Sequence, residues 1–220
     1  MEGADRRYRL TEAGNQTENF AKPMGEQLSL FELAIDGFDA ANREDPISEN
    51  FNGKQYPKEL LYAQRMSDWL ARLEPDASEE LKLAARSQHI CRWTIPRDEF
   101  PRNRGGYLRW RSTLARFHAE KAAAVLRDAG YDNNIIERVG ALLRKENLKT
   151  NPDTQLLEDV AALVFLEFYL ADFSVQHEKA KVLNIIRRTW RKMSSRGHEA
   201  ALDIELPPEL RRLVSEAIDE

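Results

Sequence analysis

The sequence predicts an all-α fold, one bundle of about eight helices, on three observations. Apolar residues recur at three- and four-residue spacing through most of the chain. No alternation of apolar and polar residues lasts long enough to argue for a sheet. Several periodic segments also carry helix start or stop signals. A chain of 220 residues, 42% hydrophobic and 32% charged, suits a single domain with a sizeable core.

Residues 1–27 mix Gly, Asn, Gln, Glu and Thr without periodicity, which predicts a flexible leader and a domain over 28–220. Helical signals begin in "LSLFELAIDGFDAAN" (28–42), and "REDPISENFNGKQYP" (43–57) reads as a loop. "KELLYAQRMSDWLARL" (58–73) sets Leu61, Tyr62, Met66, Trp69, Leu70 and Leu73 on one face. An acidic first turn, Asp76 to Glu80, opens the helix that runs into "LKLAARSQHICRW". "TIPRDEFPRNRG" (94–105) is a long loop of the kind that often carries function. The next helix, 106–130, stops at Gly130, and the one over 131–148 has Asp132 as its N-cap. The most apolar helix, 151–173, belongs at the centre. Helices over 177–197 and 207–219 complete the set.

The longest apolar run, "VAALVFLEFYLADF" (160–173), is interrupted by Glu167 and Asp172 and is shorter than the roughly 20 residues a membrane span needs. It reads as a buried helix whose acids must be paired wherever they are buried, and no membrane partner is expected. The single Cys91 and the lack of a signal-like start point to a reducing cytoplasm.

Net charge is −4, but its distribution is uneven. Eight arginines fall between Arg86 and Arg116, against only Asp98 and Glu99. A second cluster, "RRTWRKMSSR" (187–196), has no acid. Guanidinium forks suit carboxylate or phosphate. The alternative is a solvated face paired with acids elsewhere in the fold.

Four stretches stand in a suggestive order: "YAQRM" (62–66), "AARSQHICR" (84–92), "HAEKAAAVLRDAGYDNNIIERVGALLRKE" (118–146) and "LEDVAAL" (157–163). Together they resemble the HD superfamily of metal-dependent phosphohydrolases. The resemblance implies an HD-like helical bundle, with Tyr62 where the family has its first His. Gln88 falls on the His, and His89 on the Asp, of the family's "HDIGR". His118 keeps its family position, Glu146 takes the place of a later His, and Asp159 is the counterpart of an acidic ligand, with Glu158 as its register alternative. His89, His118, Glu146 and Asp159 would then hold a divalent ion, Mn, Fe or Zn, that activates water. Otherwise His89 is a cation at a helix C-terminus, His118 packs near the surface, and the two acids are surface charges.

From about residue 28 the chain also resembles the family "domain of unknown function 4202". The resemblance is carried by "QHICRWTIPR" (88–97), "GYLRWR" (106–111), "LLRKE" (142–146), "LEDVAALVFLEFY" (157–169) and "TWRKMSSRGH" (189–198). It implies membership without implying a reaction.

Gln88 and Tyr62 cannot replace imidazole as strong metal ligands, so they are expected to hydrogen-bond substrate or ordered water. Arg92, Arg97, Arg109, Arg111, Arg144 and Lys145 are the candidates for holding an anionic substrate, with Trp93 and Trp110 offering stacking faces. The expected function is metal-dependent hydrolysis of a phosphorylated or nucleotide-like molecule, with His89 and His118 catalytic. The alternative is a non-enzymatic module for an anion, a nucleotide or RNA that has lost the metal. An oxidative di-iron centre is a third possibility, and Cys91 has no evident base to make it a nucleophile.

Overall fold

The Ser29 side chain accepts from the Glu32 amide while Glu32 accepts from the Ser29 amide, so the first helix starts on a capping box. A computed structural model describes residues 28–148 and 150–219, and the expected leader over 1–27 lies outside them. Ten α-helices and one two-stranded hairpin make up the regular structure of the described residues, joined by short 3-10 turns and one π turn. The all-helical expectation therefore holds, with more helices than the eight expected.

Helix α1 (Leu30–Arg43) leads into β1 (Ser48–Phe51) and β2 (Lys54–Pro57), which pair antiparallel with Phe51 opposite Lys54. The hairpin corrects the loop expected over 43–57. Its signal was the dipeptide Asn52-Gly53, whose φ values of 50° and 77° are those a two-residue hairpin turn requires. Next come α2 (Lys58–Leu73) and α3 (Glu79–Ser87), and after two 3-10 turns the long α4 (Arg104–Ala129). Gly130, at φ 99°, ends α4 as expected, and Asp132 caps α5 (Asn133–Leu143) by accepting from the Asn134 and Ile135 amides.

The central helix is divided. α6 (Pro152–Val164) passes through a π turn, Phe165–Tyr169, into α7 (Leu170–Gln176). A π turn inserts one residue and so rotates the helix beyond it. Here the turn lets Glu167 accept from Trp69 Nε1 at 2.5 Å and from Arg72 at 3.1 Å, so the acid is paired, while Asp172 is exposed. The expected helix over 177–197 is two: α8 (Lys179–Trp190) and α9 (Ser195–Leu202), before α10 (Pro208–Ile218). Ser194 separates them by capping α9.

The core lies where α2 packs against α1, α3 and α6, with α4 and α5 closing the other side. Phe38, Met66, Leu70, Leu83, Leu126, Leu163 and Ile186 are among its fully buried side chains. No described helix is long and apolar enough to cross a membrane.

The Arg-rich segment is anchored rather than loose. Arg97 donates to the carbonyls of Phe100 and Pro101, Asn103 caps α4, and Gly106 lies against the Pro101 main chain. A Cβ at Gly106 would stand 2.0 Å from the Pro101 carbonyl oxygen, which is backbone and cannot swing aside. Overpacking of this kind costs about 1–3 kcal/mol. Gly106→Ala is therefore expected to lower unfolding free energy in urea by about that amount, whereas Gly105→Ala, which meets nothing closer than 3.5 Å, should be near neutral.

Candidate functional site

The site begins with a turn that only an unusual backbone can make. After α3 ends at Ser87, Cys91 adopts φ 52°, ψ 31°, the left-handed conformation, with its amide bonded to the Asn42 side chain. That reversal aims Arg92 back at the helix end. Arg92 Nη1 donates to His89 Nε2 at 3.2 Å, and its guanidinium lies 4.8 Å from the centre of the Trp110 ring. A guanidinium can only donate, so Nε2 accepts and the proton of a neutral His89 sits on Nδ1. Nδ1 in turn lies 3.3 Å from Glu59 Oε2, one turn of α2 before Tyr62. The Tyr62 ring stacks on His89 at 4.0 Å and 10°.

His118, two helical turns beyond Arg111 on α4, completes the group. Its ring centre is 5.8 Å from that of His89. Among the described residues its Nε2 is buried without a partner, as is Gln88 Oε1. Lys145, at φ 57°, pairs with Glu158, which Lys192 also approaches at 3.6 Å. Arg111 is half-buried, and among the described residues it makes no hydrogen bond or ion pair. Its charge is felt by Tyr62, His89, Arg92, His118, Lys145 and Glu158.

Burial sets the protonation states. It holds the His89 imidazole well below its usual range, helped by Arg92, His118 and Arg111, and pushes His118 down to about 3, helped by Arg92 and Arg111. Burial also pushes Glu59 up to about 7 against the pull of Arg92 and Lys58, and raises the Tyr62 phenol. The cations of the cluster are the two arginines and Lys145. Both imidazoles are neutral, so His89 is not the helix-capping cation that the sequence left open.

The expected residues thus divide. Tyr62, Gln88, His89, Arg92, Arg111, His118 and Lys145 come together. Arg109 is exposed on α4, Trp93 is half-buried with no ring contact among the described residues, and Arg97 clamps the loop. Arg144 pairs with Glu137 and Glu146 at the surface. Trp110 offers no open stacking face of the expected kind, since Arg92 and Arg97 lie against its ring and its Nε1 donates to the Ile95 carbonyl.

The four expected metal ligands are not gathered. Glu146 accepts from Arg144, and its side chain is 49% exposed. Asp159 accepts from the Ser194 amide at 2.8 Å, the Ser194 hydroxyl at 2.5 Å and Gln155 at 3.0 Å, and it packs on Gly197. Of the adjacent acids it is Glu158 that faces the cluster, and Lys145 takes it. Among the described residues no three His, Cys, Asp or Glu side chains are placed to hold a metal ion. Three nearby cations further oppose one. This donor set does not fit a divalent metal.

A family model described as "Domain of unknown function (DUF4202)" matches residues 32–214. The chain belongs to that family. No curated protein and no solved structure matches it. In this DUF4202 protein the long motif "TWRKMSSRGH" has a structural account: Ser194 and Gly197 close over Asp159, and His198 stacks on Trp190 at 3.9 Å.

Glu59 is the residue of this cluster that the sequence reading missed. Its signal was its place three residues before Tyr62, on the same face of α2. Two surface hollows lie elsewhere, one beside Trp69, Arg72 and Asp203 and one beside Arg211 and Arg212, and neither includes a residue of the cluster.

This geometry makes two predictions. Asp159→Ala removes the acceptor of three half-buried donor groups, of which Gln155 keeps the Lys192 carbonyl, and should cost about 1–3 kcal/mol in urea unfolding, without changing anion binding at Arg111. Stability should also respond to pH with opposite signs at two residues. The contribution of His118, lowered on folding, is complete above its unfolded value of 6.5 and is lost as pH falls towards 3. That of Glu59, raised on folding, is present below 4.5 and lost as pH rises to about 7. Between pH 4.5 and 6.5, His118→Phe should therefore flatten the rise of stability with pH, and Glu59→Gln should steepen it, each by up to about 1.4 kcal/mol per pH unit.

Proposed function

We propose that the protein binds a phosphorylated, nucleotide-like small molecule at the cluster of Arg92, Arg111 and Lys145, without a metal. The observation that carries this reading is Arg111. A half-buried guanidinium that pairs with no acid among the described residues, and whose charge is felt at two imidazoles and two further cations, leaves a positive field that a bound dianion would offset. Among the described residues the acids beside these cations are Glu59 and Glu158, and burial raises Glu59 towards the neutral form. The His89 side chain is 19% exposed, which gives a ligand its approach.

The in-frame match of "QHICR" to "HDIGR" supports descent from HD phosphohydrolases. On this reading the phosphate cradle persists while the metal dyad is replaced by Gln88 and His89. Hydrolysis is a second reading, and the Glu59–His89 contact favours it. A bound dianion would reverse the field at His89, raise its basicity and draw Arg92 off Nε2, leaving that nitrogen to take a proton from water.

Calorimetric titration tests the first reading with inorganic phosphate, a nucleoside monophosphate and the matching nucleoside. Both phosphorylated ligands should bind and the nucleoside should not. Arg111→Ala should weaken binding at least tenfold, about 1.4 kcal/mol, while Arg109→Ala leaves it unchanged. Failure of every phosphorylated ligand to bind would sink the proposal. Release of phosphate from the monophosphate, lost in His89→Ala, would establish the second reading.

A further inference from the structure

We propose that the ligand is a phosphomonoester carrying a flat aromatic base, held with its phosphate at Arg111 and its base outward, and that Tyr107 is the residue that stacks on the base. The inference rests on the anion-binding reading above and names the part of the ligand that the cations do not hold.

Tyr107 and Leu108 stand four and three residues before Arg111 on α4, so both are its neighbours on the helix surface. The same face runs back to Arg104 and on to His118. Exposure falls steadily along it: Arg104 and Tyr107 are open to solvent, Arg111 is half-buried and His118 is buried. A ligand whose anion meets Arg111 therefore reaches solvent past Tyr107, about 6 Å away along the helix axis.

The way out is apolar. Tyr107 is 44% exposed and Leu108 53%. Among the described residues the Tyr107 ring meets one other, Trp110, with centres 6.0 Å apart and planes tilted by 50°, and its hydroxyl makes no hydrogen bond. Trp110 is itself occupied by Arg92 at 4.8 Å and Arg97 at 5.9 Å, so it braces Tyr107 beside the cations without offering a face of its own. Tyr107 is thus the open ring next to the unpartnered guanidinium. A sugar phosphate would leave that ring in water, whereas a base covers it. Stacking on an aromatic side chain works for every base, so the selection expected is for a base over none.

The experiment compares adenosine monophosphate with ribose 5-phosphate, which share phosphate and sugar and differ in the base, by calorimetric titration of the full chain. Wild type should bind adenosine monophosphate at least about tenfold more tightly. Tyr107→Ala should weaken adenosine monophosphate until the two bind alike, and Tyr107→Phe, which keeps the ring, should retain the preference. Tyr107 is exposed, so both variants should unfold in urea as wild type does. A wild-type ratio near one overturns the proposal, as does a preference that survives Tyr107→Ala or is lost in Tyr107→Phe. If neither ligand binds wild type, the anion-binding reading falls and takes this one with it. Equal binding of both removes only the role of Tyr107.

Discussion

Arg92 donating to a neutral imidazole is the interaction on which the rest of the site depends. It requires the left-handed backbone at Cys91, a conformation that β-carbon-bearing residues adopt at some cost. It places a guanidinium between Trp110 and His89, and thereby settles which nitrogen of His89 carries the proton. The orientation towards Glu59, the stacking on Tyr62 and the depressed basicity of both histidines result from that placement together with burial.

The acids of α6 show how one helix serves two purposes. Asp159 and Glu158 are neighbours in sequence but point about 100° apart around the helix. Asp159 receives the N-terminal end of α9 through Ser194, and any side chain at Gly197 would collide with it. Glu158 faces the cluster and neutralises Lys145, so that among the described residues Arg111 is the cluster's cation without a partner. A metal site would need the acids that the fold has committed to these tasks.

The helices were legible because their apolar spacing is strong and their caps are ordinary. α2 is found at its expected bounds, Lys58–Leu73, and Gly130 and Asp132 do what their chemistry suggests. The hairpin was legible in principle from Asn52-Gly53, although its strands are too short to show alternation. The π turn had no local signal, because its residues satisfy helical spacing until Glu167 is seen bonded to Trp69. Arginine clustering pointed to an anion site, but most of those arginines serve the loop or the surface, and only Arg92 and Arg111 reach the cluster.

By itself the sequence determined the helical class, the family and the short list holding His89, His118 and the arginines, since spacing and motif are local properties. Only the tertiary structure decided which side chains share a desolvated space. It turned Glu146 and Asp159 away, brought in Glu59 from α2, and left Arg111 and His118 Nε2 without partners among the described residues. The physical reason is that pairing and burial depend on how helices pack, and a rotation of one residue about a helix carries a carboxylate from the cleft to a cap.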